Sequence, residues 1–164
     1  MLGLTMENIT IRKATNQDSQ NISNLLTKIW KNEYLYNVTK QDFLDLKLIE
    51  DNYHKKGGNF LVACFEDKII GTIACSHLNA KNYALRRVFI YAFFRCHGIG
   101  QSLMDMLLAN FNSGTALYLS TKEEFAIAAK KFYLKNGFQE IGKEELPEAF
   151  PLYDSDNLFM KKII

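Results

Sequence analysis

The chain has 164 residues, which is enough for one domain with a sizeable hydrophobic core. Hydrophobic residues make up 48% and charged residues 23%, as in ordinary globular proteins, and the net charge of +2 is too small to indicate a nucleic-acid partner. No apolar run is long enough to span a membrane, and Met1 to Thr5 lacks the basic region and apolar core of a signal peptide.

The number and spacing of the cysteines indicate a reducing cellular compartment. The three cysteines, Cys64, Cys75 and Cys96, are an odd number and show no metal-ligand pairing. A disulfide framework is therefore not expected, and a reducing cytoplasm is the default location. We predict a single domain over residues 1–164 that is cytoplasmic, has no metal site and binds neither nucleic acid nor a membrane.

The first third of the chain predicts a strand followed by two helices. Residues 8–14 alternate between apolar and polar side chains, which is typical of a half-buried strand. A first helix follows, and Thr39 with Asp42 three residues later is a helix start for a second. The inward face of the second helix is predicted to comprise Phe43, Leu46, Ile49 and Tyr53. Tyr34 and Tyr36 lie between the helices, where local packing is a simpler interpretation than a substrate pocket.

The remainder predicts a hairpin, a β-α-β unit and further strands. Gly57-Gly58 ends the second helix, and turns then separate the segments that follow. The predicted strands are Asn59–Phe65, Lys68–Leu78, Tyr83–Tyr91, Thr115–Thr121, Phe138–Ile141 and Asn157–Ile163. One helix follows Gly100, and another carries an apolar stripe comprising Phe125, Ala128, Ala129, Phe132 and Tyr133 before Asn136-Gly137 ends it.

The element order is therefore β-α-α-β-β-β-α-β-α-β-β. Hairpins followed by a β-α-β crossover predict a mixed α/β fold of the α+β kind, with helices on both faces of the sheet. The crossover should be right-handed, which places the strand Thr115–Thr121 parallel to Tyr83–Tyr91.

The turn from Arg95 to Gln101 joins a strand to a helix and contains Gly98 and Gly100. Free backbone N–H groups at a helix start lie at the positive end of the helix dipole, which suits a phosphate. Glycines without a Cβ would let a ligand lie against the backbone. On the turn alone, a plain strand-to-helix connection is an equally good interpretation.

Two known phosphate loops are excluded. A P-loop needs Lys followed by Ser or Thr after its glycines, and neither is present. A dinucleotide fingerprint needs a third glycine where Leu103 stands and an acidic residue about twenty residues further on. The strand Ala116 to Thr121 supplies no such acid.

Three stretches together resemble the GCN5-related N-acetyltransferase (GNAT) superfamily. Arg95-Cys96-His97-Gly98-Ile99-Gly100 matches its pyrophosphate signature, and Arg87–Ile90 is similar to its central strand. Downstream, Ala129–Phe138 resembles its second motif, in which a Phe-Tyr pair precedes Gly-Phe. The element order fits the family over essentially the whole chain, which implies a GNAT-like, twisted, mostly antiparallel sheet of about six or seven strands.

The resemblance implies acetyl-CoA as the donor and a primary amine as the acceptor. Loop amides would cradle the CoA pyrophosphate, and backbone groups of the strand before the turn would pair with the pantetheine arm. The implied cofactor-binding residues are Val88, Phe89, Ile90, Arg95, Cys96, His97, Gly98, Ile99, Gly100, Gln101 and Ser102. We expect the Arg95 side chain to touch phosphate, whereas Cys96 is interpreted as a variable loop position. The other nearby cations could serve the 3′-phosphate of CoA but are interpreted mostly as solvated; they are Arg86, Arg87, Lys130, Lys131 and Lys135.

Tyr133 occupies the position at which the family carries the tyrosine that protonates the departing CoA thiolate. A free tyrosine has a pKa of about 10 and a thiol about 8.5, so full proton transfer is uphill by roughly 2 kcal/mol. A hydrogen bond to the thiolate is then a better description. The alternative is a core aromatic residue on the same helical stripe.

The residue that deprotonates the amine has no single candidate. Many family members carry a glutamate on the central strand, whereas Ala84-Leu85-Arg86-Arg87 contains no acid. His77 has a suitable intrinsic pKa and, with Glu124, is a candidate base, although a surface histidine is the commoner case. Ala92 and Ala126 also depart from the family pattern.

The acceptor is expected to be a small-molecule amine or an amino-acid-like compound. Acetylation of a protein N-terminus or lysine, or acyl-CoA binding without turnover, are the alternatives. The resemblance places the segment Glu144 to Asp156 on the acceptor side. A monomer or a homodimer is expected.

Overall fold

A seven-stranded sheet forms the centre of the computed structural model, which describes residues 6–164. The strands are β1 (Ile9–Lys13), β2 (Asn59–Phe65), β3 (Lys68–Asn79), β4 (Asn82–Ile90), β5 (Ala116–Thr121), β6 (Gln139–Ile141) and β7 (Leu158–Ile163). Their spatial order is β1-β2-β3-β4-β5-β7-β6. Neighbours are antiparallel except β4 and β5, so the predicted mixed sheet and its single parallel pair are confirmed. The predicted lack of a signal peptide concerns Met1 to Thr5, which lie outside the described residues.

Helices cover both faces of the sheet. The α-helices within residues 6–164 are α1 (Ser19–Glu33), α2 (Ile49–Asn52), α3 (Ile99–Leu108) and α4 (Ile127–Lys135). Short 3₁₀ turns lie at Met6–Asn8, Asn16–Asp18, Lys40–Leu46, His54–Lys56, Ala92–Phe94, Glu123–Phe125 and Lys143–Glu145. The predicted element order is confirmed. None of the helices in this part of the chain is both long enough and apolar enough to cross a membrane.

The second predicted helix is broken. It does start after Thr39, whose backbone N–H donates to Asp42 Oδ2 at 2.7 Å. The chain then forms a 3₁₀ turn, leaves helical geometry at Phe43 (φ −119°, ψ 16°) and resumes as the single turn of α2. The kink lets the Phe43 ring stack on Trp30 with centroids 5.8 Å apart, a contact that the sequence periodicity did not reveal.

Each face of the sheet has its own core. On one face, α3 and α4 bury Leu103, Met104 and Phe138 against the sheet. On the other, α1 and residues 40–56 bury the side chains of Ile22, Leu26, Leu46, Ile49 and Tyr53. Full burial of each aliphatic side chain contributes about 1.5–3 kcal/mol, so both faces are firmly attached to the sheet.

The stripe on α4 is shorter than predicted. Phe125 lies in a 3₁₀ turn before the helix and is 47% exposed, and Ala128 is also exposed. Tyr133 is buried, as the stripe predicted. The predicted end of the helix is confirmed, because Gly137 adopts φ 83° and donates its N–H to Leu134 O at 3.0 Å.

Candidate active site

β4 and β5 pair over only part of their length. Asn82–Ala84 pair with Ala116–Tyr118, and no further residues of the two strands pair in the described structure. Beyond this point β4 continues beside β3, and β5 continues beside β7. The parallel strands therefore separate and leave a gap in the sheet, with the glycine turn after the open end of β4.

Backbone groups of β4 line this gap. Tyr91 N–H donates to Ile70 O on β3 at 2.8 Å. Because peptide groups alternate in direction along a strand, those of Ile90 and Val88 point away from β3 and toward the gap. Phe89 lies between them, so its peptide groups point toward β3, and its ring packs on Trp30 with centroids 5.8 Å apart.

A β-bulge interrupts β4 beside the gap. The pairing passes from Thr72↔Phe89 to Ala74↔Arg86, so β4 contains one extra residue. Arg87 adopts φ 56°, and its carbonyl accepts a 2.6 Å hydrogen bond from the Thr72 hydroxyl. The bulge was not predicted, since neither arginine at this place is a residue that favours a positive φ.

The glycine turn presents a row of backbone donors. The six amides from Cys96 to Gln101 donate to no group within residues 6–164, and Ser102 N–H is the first to bond within the helix, to Gly98 O at 3.0 Å. Cys96 (φ 62°) and Gly98 (φ 79°) are left-handed, which turns successive amides into a concave surface suited to an anion. The amide of Ser102 is thus already used.

The side chains of Arg95 and His97 in the turn are bonded to other groups of the protein. Arg95 forms a bidentate ion pair with Glu33 at the end of α1, with Nη2 2.7 Å from Oε2. Its Nε donates to Ile90 O at 2.9 Å. His97 is exposed, and its Nδ1 lies 2.7 Å from Arg95 O. The loop therefore offers an anion its backbone, while Arg95 is held by a carboxylate.

Tyr133 lies in a dry aromatic setting. Its side chain is 8% exposed, and its ring centroid lies 5.7 Å from those of both Phe132 and Phe138. Burial, and to a smaller extent the nearby Tyr34, raises the pKa of Tyr133 above its ordinary value. Tyr34 is partly buried and packs on Phe125 with centroids 5.4 Å apart. The Tyr133 hydroxyl is thus a neutral hydrogen-bond donor at any physiological pH.

Arg87 is buried in an ion pair on the face covered by α1 and α2. Its Nη2 lies 2.5 Å from Asp45 Oδ1, and the two side chains are 8% and 17% exposed. The Tyr53 hydroxyl also donates to Asp45, and the guanidinium lies 5.7 Å from the Trp30 ring. Burial alone would raise the pKa of Asp45, but Arg87 holds it below its ordinary value. The interpretation of Arg87 as a solvated cation is therefore wrong.

A cavity of about 350 Å³ lies between residues 44–56 and the sheet. Its lining residues are Leu44, Asp45, Asn52, Tyr53, Lys56, Ser76, His77 and Arg86. Arg86 makes no ion pair among residues 6–164, and its Nη2 donates to Tyr153 Oη at 3.3 Å. A cation without a carboxylate partner therefore lines this cavity.

A turn of the chain from Tyr153 to Asp156 contacts both separated strands. Asp156 N–H donates to Tyr153 O at 3.0 Å, which closes the turn. Tyr153 contacts Arg86 on β4, and Asp156 Oδ2 accepts a 2.5 Å hydrogen bond from Ser120 on β5. Arg86 and Ser120 each follow by two residues the last paired positions of their strands. They therefore flank the gap at the same level.

Of the two candidate bases from the sequence, His77 lines the same cavity as Arg86. His77 pairs with Tyr83 near the start of β4, stacks on it at 4.9 Å, and its Nε2 lies 3.0 Å from Ala80 O. On an extended strand the seven residue-to-residue steps from Tyr83 to Ile90 span about 23 Å, so His77 is remote from the glycine turn. Glu124 is exposed and paired with Lys122. Within the described residues, neither His77 nor Glu124 forms a hydrogen bond or ion pair with Tyr133.

No cluster of three or more His, Cys, Asp or Glu side chains within the described range 6–164 is arranged to hold a metal ion. The three cysteines are unpaired by disulfides, with Cys64 and Cys75 buried and Cys96 exposed.

Comparison with known proteins identifies the class of this fold and site. The acetyltransferase (GNAT) domain family matches residues 56–140, from just before β2 through the glycine turn and α4 to β6. The chain therefore belongs to the GNAT acetyltransferase family, and it is an acetyl-CoA-dependent acetyltransferase. This confirms the predicted family, fold, enzyme class and co-substrate. No curated protein matches the chain.

Solved structures of acetyltransferases have the same fold as this chain. A GNAT-family acetyltransferase from Staphylococcus aureus Mu50 is 32% identical, with a TM-score of 0.85 over 94% of this chain and 98% of that one. An acetyltransferase from Streptococcus agalactiae is 21% identical, with a TM-score of 0.85 over 96% and 99%. The PaiA N-acetyltransferase of Thermoplasma acidophilum, solved with coenzyme A, is 19% identical, with a TM-score of 0.71 over 95% and 99%.

Proposed function

We propose that the enzyme transfers the acetyl group of acetyl-CoA to the primary amine of a small, amino-acid-like molecule, by direct attack in a ternary complex. The observation that carries this proposal is Arg86, which lies two residues beyond the last β4–β5 pair and lines a cavity of about 350 Å³ between residues 44–56 and the sheet. That volume is at the small end of sites for small molecules. A guanidinium without a carboxylate partner is well matched to the carboxylate of an amino acid.

The donor side follows from the backbone. The free amides from Cys96 to Gln101 would hold the pyrophosphate, and the Val88 and Ile90 peptide groups would hold the pantetheine arm in the gap. The thioester would then lie where the strands separate, within reach of a molecule bound at Arg86. Each exposed interaction of an anion with a helix start contributes roughly 0.3–1 kcal/mol, and more when partly buried.

Tyr133 would assist the departing group. The amine nitrogen attacks the thioester carbon, the N–C bond forms, and the C–S bond breaks with its electrons moving to sulfur. The Tyr133 hydroxyl would donate a hydrogen bond to that thiolate. Because burial raises the pKa of Tyr133, it remains a neutral donor, and complete proton transfer to sulfur is even less favourable than for a free tyrosine.

Acetylation of a protein N-terminus or a lysine remains the second candidate in the same chemistry. A peptide acceptor would favour a shallow, acidic groove. The cavity instead carries Arg86 and Lys56, and the carboxylate of Asp45 in its wall is already paired with Arg87. These features favour a small acceptor with a negative group.

The test is a CoA-release assay over matched acceptors. Each amino acid is compared with the amine that lacks its carboxylate, alongside peptides with free N-termini. We expect kcat/KM to be about 10- to 100-fold higher for the preferred amino acid than for its decarboxylated partner, as for a hydrogen bond to a charged group. Arg86→Gln should remove this preference. Lys68→Gln, which removes a charge on the exposed β2–β3 hairpin, should retain it. Turnover of peptides in preference to every small amine would contradict the proposal.

A further inference from the structure

We propose that Asp156 is the catalytic residue that receives the acceptor amine and takes its proton as the N–C bond forms. The proposal rests on amine acetylation as the function. Asp156 belongs to the segment between β6 and β7 and not to the central strand.

Three hydrogen bonds hold Asp156 and its neighbour Asn157 in place. Ser120 Oγ donates to its Oδ2 at 2.5 Å, and its own N–H closes the turn on Tyr153 O at 3.0 Å. The next residue, Asn157, donates its N–H to Thr121 O at 3.1 Å. The carboxylate is thereby held on the β5 side of the gap, at the level of Arg86 on the β4 side. Its Oδ1 accepts no hydrogen bond from any group in the described part of the chain.

The other acids near the gap are already engaged. Asp45 accepts from Arg87 and Tyr53 and is held in its charged form by that pairing, so its pKa is below the ordinary value. Glu33 is paired with Arg95, and the bulged part of β4 contains no acid. Asp156 is bonded only to a neutral hydroxyl and its own turn, so a carboxylate oxygen is available to an incoming amine.

Arg86 and Asp156 together match a zwitterion. The guanidinium lies on one side of the gap and the carboxylate on the other, and the same turn contacts both Arg86 and Ser120. An α-amino acid that places its carboxylate against Arg86 would direct its amine toward Asp156. The acceptor class proposed above and the role of Asp156 are therefore parts of one arrangement.

The acceptor amine loses two protons during the proposed reaction. The acceptor loses one proton to water to become a neutral amine, and its lone pair forms the N–C bond. The nitrogen then carries positive charge and becomes far more acidic than the free amine, so a carboxylate is a competent acceptor of its next proton. Asp156 takes that proton and returns it to solvent. The thiolate that leaves carries the electron pair of the C–S bond, is hydrogen-bonded by Tyr133, and is protonated from solvent.

The test uses the full chain and whichever acceptor the panel of amines, amino acids and peptides shows to be acetylated. We expect Asp156→Asn to lower kcat/KM by about 100-fold or more, the range for loss of a general base. Most of the loss should be in kcat, with unchanged acetyl-CoA affinity and unfolding temperature. Asp156→Glu should restore part of the rate. Asp154→Asn, the same charge change two residues away on the exposed turn, is the matched control and should behave as the unmodified enzyme.

The outcomes separate the two proposals. A folded Asp156→Asn variant with kcat within about threefold of the unmodified enzyme would overturn the role of Asp156 whatever the acceptor. If only peptides are acetylated, the small-molecule function fails, and the Asp156→Asn comparison is made with the peptide amine. Failure of Asp156→Glu to exceed Asp156→Asn while acetyl-CoA affinity falls equally in both would show a structural role, and that too overturns the proposal.

Discussion

The two sides of the gap between β4 and β5 are built by different means. On the proposed cofactor side, six consecutive residues, Cys96–Gln101, present free backbone amides, and the side chains of Cys96 and His97 are exposed. On the proposed acceptor side, side chains come from well-separated segments: Asp45 and Arg86 line the cavity, and Asp156 accepts a hydrogen bond from Ser120 on β5.

Backbone donors and side-chain contacts differ in how they tolerate substitution. Backbone donors survive most changes of side chain, so the cofactor side can bind the same ligand with many loop sequences. The acceptor side depends on which side chains are present and on the bulge that positions them. We therefore expect substitutions to have their largest effects on stability on the acceptor side, and to affect the cofactor side only where they block the ligand.

The largest expected effect concerns the buried pair on the acceptor side. Asp45→Asn leaves the Arg87 guanidinium buried without a carboxylate, which should cost about 3–5 kcal/mol in the free energy of unfolding. Urea unfolding at pH 7 measures this. The control is Asp51→Asn, which removes the acid of the exposed Lys55–Asp51 pair and should leave the unfolding midpoint nearly unchanged.

The pH dependence of that loss has a definite sign. Because Arg87 holds the pKa of Asp45 below its ordinary value, the pair stabilises the fold above about pH 4 and less as the pH falls below it. The difference between the unmodified protein and Asp45→Asn should therefore shrink on acidification below pH 4. A difference that stays constant down to pH 3 would show that the charge of Asp45 is not what stabilises the bulge.

The next effect concerns catalysis. Tyr133→Phe removes one hydrogen-bond donor and keeps the ring contacts with Phe132 and Phe138, so kcat should fall by about 10²–10³-fold, or roughly 2.7–4 kcal/mol. Affinity for acetyl-CoA, measured by calorimetry, should not change. Tyr83→Phe, at the far end of β4, is the control. An unchanged kcat would leave Tyr133 as a core aromatic residue only.

These two sides were not equally predictable from sequence. The glycine turn is contiguous, so its strand, turn and helix could be recognised together, and the crossover rule placed β5 parallel to β4. The apolar stripe on α4 also predicted that Tyr133 would be buried. Its catalytic role and the contacts of the loop residues with CoA stay predictions.

The acceptor side required contacts that no local pattern encodes. Arg87 adopts a positive φ although it is not a glycine, and only the pairing of Thr72 and Ala74 with β4 reveals the bulge. Sequence reasoning consequently placed Arg87 in solvent and treated the second helix as continuous. Within the segment Glu144 to Asp156, no local pattern singled out Asp156 either, because it acquires its position only through Ser120 on another strand.

A smaller effect tests whether the cofactor side depends on space and not on side chains. A Cβ added at Gly100 would lie 3.8 Å from Ile90 and Phe132, which is ordinary contact, so Gly100→Ala should fold normally. The branches of Gly100→Val would extend further into this space and should weaken acetyl-CoA binding by about 100-fold, or about 2.7 kcal/mol. Cys96→Ala, in the same loop, should bind normally. Equal affinity in Gly100→Val would exclude the loop as the pyrophosphate site.

The smallest effect concerns the Arg95–Glu33 ion pair on the proposed cofactor side. The Arg95 and Glu33 side chains are 41% and 27% exposed, so their interaction contributes about 1 kcal/mol at most. If Arg95 moves to the phosphate when the cofactor binds, Glu33 competes with the phosphate for the guanidinium. Glu33→Gln should then raise acetyl-CoA affinity by up to about fivefold at low salt. The gain should vanish in Arg95→Gln, which serves as the matched background. A loss of affinity in Glu33→Gln would instead show that Glu33 positions Arg95 for the ligand, and the cofactor side would then depend on a side-chain pair just as the acceptor side does.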